Sequence, residues 1–381
     1  MNSNSKNAIL DALKGSTLTI CDQPEKKGTQ IFITEEFDLV SDIALAEDLV
    51  TSLLRSKGNL FSVKEQKHRK GQFLHSTALG SRLLQAISSV RYLDNQRHFP
   101  QHRFHPYYDL FVEHLKTKQL DVSARLSDEA GLIGWCNIIN SAVNDIRNAV
   151  AGTAFKSKIQ AYRRTTNKNA TSLRNYLYAL FKHYPRLFGI RLDLTYRQRQ
   201  DRTTGDDTTP LLYDDVKAHL KTLLKFMTSK LPQKCLRGYV WKLEHSLLKS
   251  YNYHVVIFID ADIADQNTDI VQKIGEHWNT VITKDSGLYR SYDPRDAYKA
   301  AGTGIINCID TNSQELIDKI LVDMTKTDYF MQLALPGKGR AFGKGVKPKP
   351  IAAKPSEVKE QIKPASKKRV RKKPHVEACD P

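Results

Sequence analysis

The chain has 381 residues, 40% of them hydrophobic, which is enough to bury a substantial core. Its 59 Lys and Arg against 41 Asp and Glu leave a net charge of +18, which favours polyanions and makes nucleic acid the leading partner class. No apolar run approaches a membrane span, and the polar start MNSNSKNAIL lacks the basic-then-apolar order of a secretion signal, so a cytoplasmic protein with no membrane partner is expected.

Residues 1–30 read as a flexible N-terminus. Residues 31–155 are helical in pattern. After a candidate cap at Thr34, the residues Phe37, Val40, Ile43, Ala44, Val50, Leu53 and Leu54 recur at helical spacing, and STALGSRLLQAISSVRYL and HPYYDLFVEHL behave similarly. ATSLRNYLYALFKHY predicts a further helix. The texture then changes. LFGIRLDLTYR, at 187–197, alternates as a strand does, and a helix is predicted from about Tyr213 to Ser229. GYVWKLEHS and YNYHVVIFID read as two strands joined by a tight turn at LLKS. A helix NTDIVQKIGEHWNTVI, a Gly/Tyr-rich loop, a short strand TGIINCI and a helix SQELIDKILVDMTKTDYF complete an alternating α+β domain. The five cysteines are far apart and form no CxxC pair, so they read as ordinary thiols.

GKGRAFGKG, at 337–345, is not a Walker loop, because Gly345 stands where a Ser or Thr should hold magnesium. It reads as a flexible basic junction in which Arg340 and Lys344 touch a nucleic-acid backbone. Residues 346–381 have no apolar period and read as a disordered basic tail. Within it, KKRVRKKP presents Lys367, Lys368, Arg369, Arg371, Lys372 and Lys373 as a phosphate-binding arm, with a merely solubilising tail as the alternative.

Asn252 and His254 lie two apart in a strand and so project to one face. Folding the preceding strand back about LLKS brings Glu244 nearly opposite them. In that register a carboxylate, an amide oxygen and an imidazole converge, a ligand set suited to Mg²⁺ or Mn²⁺. A slip of one residue would turn Glu244 away. The alternative is a set of hydrogen-bonded polar groups at a strand end. DADIAD, with Asp260, Asp262 and Asp265, reads as turn chemistry and a helix cap, with a two-metal carboxylate nuclease as the minor alternative. Glu276 and His277 read as a solvated pair, and Asp193 either faces solvent or backs up the metal centre.

LFGIRLDL, YVWKLEHS, YNYHVVIFIDAD, IGEHWNTVITKDSGLY, DMTKTDYF and GRAFGKG, in that order, resemble the YagK/YfjJ C-terminal domain family, which includes inovirus gene-2-type replication proteins of filamentous phages and prophages. That family in turn looks like the HUH rolling-circle initiators, in which a divalent ion held by His-hydrophobic-His strands and a tyrosine in a YxxK setting cleave DNA. The resemblance implies an antiparallel-sheet, replication-initiator-like (HUH-like) domain over 156–345. It implies a protein of a bacterial host cell that binds single-stranded or origin DNA, with host replication proteins as further partners. It also implies nicking through a metal-assisted phosphotyrosine, or a catalytically inactive DNA-binding relative acting as regulator or accessory factor. On this chain His254 matches the second histidine, Glu244 is placed as third ligand and Lys326 matches the YxxK lysine. Asn252 replaces the first histidine, and Asp323 replaces the tyrosine. Tyr329, three residues beyond Lys326, becomes a shifted nucleophile if the helix continues, with an aromatic packing residue within DYFMQL as the favoured alternative, and Tyr289, Tyr292 and Tyr298 are further phenols or loop contacts to DNA.

Overall fold

The computed structural model describes residues 6–11, 14, 19–22, 29–32, 35–65, 71–90, 95–120, 129–197, 211–247, 250–266, 269–292, 303–307 and 313–349. Met1–Pro348 form one compact unit and Lys349–Pro381 a second, of which only Lys349 is described. The elements below belong to the first. None of the described helices is long and apolar enough to cross a membrane.

The N-terminal part begins with a helical stretch, α1, at residues 6–11, followed by a hairpin of β1 (Thr19–Asp22) and β2 (Thr29–Phe32). In α2 (Glu35–Arg55) the residues Leu39, Val40, Ile43, Ala46, Leu49, Val50 and Leu53 are buried, the three-and-four spacing of a helix with one apolar face. A second hairpin joins β3 (Phe61–Glu65) to β4 (Gln72–Ser76). Then come α3 (Ala78–Ser89), whose Thr77 hydroxyl accepts the Gly80 N–H at 3.0 Å as a cap, and the short α4 (Asn95–His98). β5 (His102–Phe104), α5 (Pro106–Thr117) and α6 (Glu129–Ala151) complete this part. The strands depart from the sequence expectation of helices over 31–155 and of no order before residue 31. Each is five residues or fewer, too short for period-two alternation to stand out against its surroundings.

The long α7 (Thr153–His183) leads into the sheet. Only its second half was predicted, because the first, TAFKSKIQAYRRTTNKN, is too polar to show an apolar stripe. The remaining elements are β6 (Arg186–Tyr196), α8 (Tyr213–Ser229), β7 (Leu236–Ser246), β8 (Ser250–Asp260), α9 (Ala261–Gln266), and α10 (Ile270–Glu276), which runs into a π-helical turn at His277–Ile282. β9 (Gly287–Ser291), β10 (Gly304–Asn307), α11 (Ser313–Thr325), a 3₁₀ turn at Lys326–Tyr329, β11 (Met331–Leu333) and β12 (Phe342–Lys344) follow. The main sheet is antiparallel, in the order β10, β6, β8, β7, β12, with β9 also paired to β6 beyond β10. This is the mixed helix and antiparallel-sheet architecture that the sequence texture predicts.

Helices cover both faces of the sheet, so β8 is buried on nearly every residue. On one face Leu192, Leu194, Tyr253, Val255 and Ile257 pack against Val216, Leu220 and Leu223 of α8 and Trp278 of the π turn. On the other, Leu187, Val240, Val256 and Phe258 meet Leu173, Leu177 and Leu180 of α7 and Ile317, Ile320 and Leu321 of α11. Each fully buried aliphatic or aromatic side chain contributes about 1.5–3 kcal/mol. The N-terminal part is joined to this body through shared packing. Its core includes Tyr329 and Phe330, β5 pairs with β11, and the His105 N–H donates to the Phe330 carbonyl at 3.0 Å.

Two local expectations are corrected. GKGRAFGKG is not a flexible junction, because Phe342–Lys344 form the edge strand β12 and Gly345 N–H donates to the Tyr239 carbonyl at 2.9 Å. Its glycines serve close approach, since a Cβ on Gly343 would lie 2.4 Å from the Trp241 ring and one on Gly345 2.7 Å from the Tyr176 hydroxyl. His277 is not in a solvated pair. Its ring stacks on Phe226 with centroids 3.8 Å apart.

Candidate functional site

The β7–β8 register sets Glu244 opposite Asn252 and Lys242 opposite His254, while β6 sets Asp193 opposite His254 from the other side. Opposed residues share a face, and so do residues two apart. Arg191, Asp193, Lys242, Glu244, Asn252 and His254 therefore line one side of three adjacent strands. The patch begins where the apolar contacts of α11 end, and Asp323, Thr327 and Asp328, from the end of that helix and its 3₁₀ turn, come down onto it.

His254 is its centre, and is buried. Its Nδ1 lies 2.6 Å from Asp193 Oδ1, and its Nε2 lies 3.0 Å from both Glu244 Oε2 and the Asn252 side-chain amide. Burial disfavours the imidazolium, but the carboxylates of Asp193 and Glu244 outweigh it and raise the pKa to about 9. Both ring nitrogens then carry protons, so the Asn252 amide faces Nε2 with its oxygen, the two orientations of an amide being alike in shape.

The surrounding charges alternate in sign. Lys242 Nζ is 2.6 Å from Glu244 Oε1 and 3.3 Å from Asp328 Oδ1, and donates to the Thr327 hydroxyl. Against burial, the Lys242 ammonium and His254 hold Glu244 well below the usual carboxylate range. Asp328 is pushed up by burial, with Lys242 opposing. Arg191 Nη1 pairs with Asp323 Oδ2 at 2.5 Å. The Tyr292 hydroxyl donates to Asp193 Oδ2, and burial and that carboxylate raise its pKa. Asp193 therefore spans the imidazole and a phenol, and fixes the ring so that Nε2 points at Glu244 and Asn252.

That arrangement has the form of a carboxylate–histidine pair behind a metal ligand. The Glu244 carboxylate and the Asn252 amide both meet His254 Nε2, so two hard oxygens and one imidazole come together there, the donor types that could hold Mg²⁺ or Mn²⁺. Among the described residues there is no group of three His, Cys, Asp or Glu side chains arranged to hold a metal, so the amide is needed to complete the set.

The other expected site residues lie elsewhere. Thr325, at φ −137°, ends α11, and the tighter 3₁₀ turn that follows starts at a half-buried Lys326. The Tyr329 hydroxyl donates to Glu47 Oε1 at 3.0 Å and accepts from Arg163 Nη2 at 3.2 Å, inside the N-terminal core and apart from His254. Burial, with Glu47 beside it, raises the pKa of that phenol. Arg340 is exposed on the loop before β12, and Lys344 Nζ lies 4.9 Å over the Tyr176 ring. Tyr289 packs against Gly275. Tyr298 and the tail residues Lys367, Lys368, Arg369, Arg371, Lys372 and Lys373 lie outside the described residues. Asp260 caps the Asp262 N–H at 3.1 Å, as turn chemistry predicts.

Sequence reading missed Arg191, Lys242 and the partners Thr327 and Asp328. The first two carried a signal, since Arg191/Asp193 and Lys242/Glu244 are charged pairs spaced two apart in otherwise apolar strands. Thr327 and Asp328 carried none, because a 3₁₀ turn has no apolar period to aim it.

The YagK/YfjJ C-terminal domain profile matches residues 152–345, which take in α7 and the whole six-stranded sheet. No curated protein and no solved structure matches.

Proposed function

The chain belongs to the YagK/YfjJ C-terminal domain family, and from that premise we propose that it is a prophage-type replication protein that binds DNA and holds one divalent ion against a phosphodiester. The observation that carries this reading is the meeting of Glu244 and Asn252 at Nε2 of His254, whose Nδ1 is anchored by Asp193. A divalent ion there would neutralise phosphate oxygens and polarise phosphorus, leaving a phenol to displace the 3′ hydroxyl. Lys242 and Arg191 bring further positive charge to the same face. In nicking, the tyrosine oxygen bonds to phosphorus, the P–O3′ bond breaks, and the phenolic proton passes to a base.

Two phenols are candidates. The Tyr292 hydroxyl already donates a hydrogen bond to Asp193 beside His254, whereas Tyr329 has to leave Glu47 and Arg163 before it can attack. A second reading, DNA binding without nicking, is favoured by Asp323. It stands in the place of the YxxK tyrosine and is tied to Arg191.

The test is a covalent-adduct assay on labelled single-stranded origin DNA with Mg²⁺ or Mn²⁺. The nicking reading expects an adduct that His254→Ala abolishes together with its metal dependence. Loss of the adduct in Tyr292→Phe or Tyr329→Phe, with DNA binding kept, identifies the nucleophile. DNA binding with no adduct under either ion establishes the second reading.

A further inference from the structure

Strand alternation gives the central hairpin a second face, and that face carries a cavity the metal chemistry does not use. Where Lys242 and His254 turn towards the polar cluster, Trp241 and Tyr253 turn the other way. There they floor a cavity of about 690 Å³. Tyr253 is fixed by its hydroxyl, which donates to the Val216 carbonyl at 3.2 Å, and Trp241 lies edge-on to it with centroids 5.9 Å apart. Tyr213 closes one side. Its hydroxyl accepts the Arg340 N–H at 3.0 Å, which draws the loop before β12 against it. Gly339 in that loop has no room for a Cβ, which would lie 2.6 Å from Leu335 Cβ, so the wall is a packed structure.

Four cations surround the opening. Lys217 and Lys221 stand one turn apart on α8, with Lys338 and Arg340 on the loop, and all four are exposed. None of them makes an ion pair with a described residue, and the acid that lines the cavity is Asp214. Four like charges around one opening repel one another, a cost that an incoming polyanion removes. The volume falls within the ~300–1,000 Å³ usual for small-molecule sites. Aromatic surface beneath unpaired cations is the chemistry that receives a stacked base with phosphates on either side.

We propose that this cavity binds an unpaired nucleotide of single-stranded DNA, with its base on Trp241 and its flanking phosphates on Lys217, Lys221, Lys338 and Arg340. The site rests on the DNA-binding function proposed above, and needs neither the metal nor the tyrosine, which belong to the opposite face of the sheet.

The experiment titrates the full chain with an oligothymidylate at low salt, following tryptophan fluorescence and, in parallel, the anisotropy of a labelled copy. Binding should quench the fluorescence. Trp241→Phe should lose that quench while keeping affinity within about twofold, because phenylalanine still stacks. Lys217→Ala with Lys221→Ala should weaken binding about tenfold and lower the slope of log K against log salt by about 1.4, at about 0.7 for each phosphate that is no longer neutralised. An abasic oligonucleotide of equal length should bind without quenching. Oligothymidylate binding that leaves tryptophan fluorescence unchanged, or a full quench retained in Trp241→Phe, overturns this site alone. Failure of the chain to bind DNA in any form overturns the site and the proposed function together.

Discussion

At the scale of single residues, His254 decides how the cluster behaves. Its pKa of about 9 lies above the ordinary value of 6.5, so the folded state holds a proton that the unfolded chain gives up first. The resulting stability is fully present below pH 6.5 and is lost as the pH rises through about 9. The metal-free protein should therefore unfold at progressively lower temperature across that window, and His254→Gln, which cannot titrate, should flatten the dependence. Metal binding runs against the same proton, because an imidazolium cannot ligate. Near pH 7, Mn²⁺ should release about one proton on binding, and its affinity should rise with pH until about 9. Calorimetry in buffers of different ionisation enthalpy measures the proton count. A count near zero would show that the ion, if bound, does not use His254. Breaking the cluster from the other side is costly in its own right, since removing one partner of a buried ion pair leaves its neighbour unpaired, at about 3–5 kcal/mol. Stability and metal dependence must therefore be read separately in every cluster variant.

At the scale of elements, the hairpin that builds the cluster was legible, and the reason is geometric. Period-two alternation fixes which residues share a face, so Asn252 and His254 could be paired from spacing alone, whereas Glu244 depended on a register that spacing left open by one residue and that the strand pairing resolves. Strand β12 was not legible. Glycines at 343 and 345 signal freedom in a sequence, but here they mark places where a backbone meets an aromatic side chain. Gly343 is the sharpest case, because a Cβ would stand 2.4–2.6 Å from three atoms of the Trp241 indole. Gly343→Ala should therefore displace either β12 or Trp241 and cost about 1–3 kcal/mol, the usual range for overpacking a filled site. Urea unfolding followed by tryptophan fluorescence checks both parts, since a shift of the indole changes the native emission while the midpoint reports the energy. An unchanged midpoint and spectrum would mean that the edge strand is as loose as its composition suggests. The end of α11 was illegible for a related reason. SQELIDKILVDMTKTDYF carries its apolar period past Thr325, yet the backbone there leaves the helix and sends Tyr329 into the N-terminal core.

At the scale of the whole molecule, the contacts that place Tyr329 could not be read from sequence at all. Its hydroxyl meets Glu47, 282 residues earlier, and no local pattern encodes a pairing of that span. The Leu247 N–H likewise donates to Glu36, so α2 touches the end of the hairpin that builds the cluster. Charge, by contrast, is legible at this scale. Residues 346–381 carry 11 Lys and Arg against four acids, beyond the sheet body whose polar cluster is nearly balanced in sign. Under the proposed function, such a distribution separates two contributions to DNA affinity. Lysines and arginines of the tail can meet any phosphate and so add affinity without sequence preference, whereas groups held by the sheet act at fixed positions. Deleting residues 346–381 tests the division cleanly, because the sheet is pinned as far as Gly345, whose N–H closes onto the Tyr239 carbonyl. The truncated protein should keep its unfolding midpoint, bind DNA more weakly, and show a shallower fall of log K with log salt, while its preference between origin and unrelated sequence stays the same. Fluorescence anisotropy on both DNAs over a salt series measures all of these except the midpoint, which thermal unfolding gives. An unchanged salt slope would leave the tail a solubilising role and move the phosphate contacts onto the body. A lost sequence preference would mean that the tail takes part in recognition.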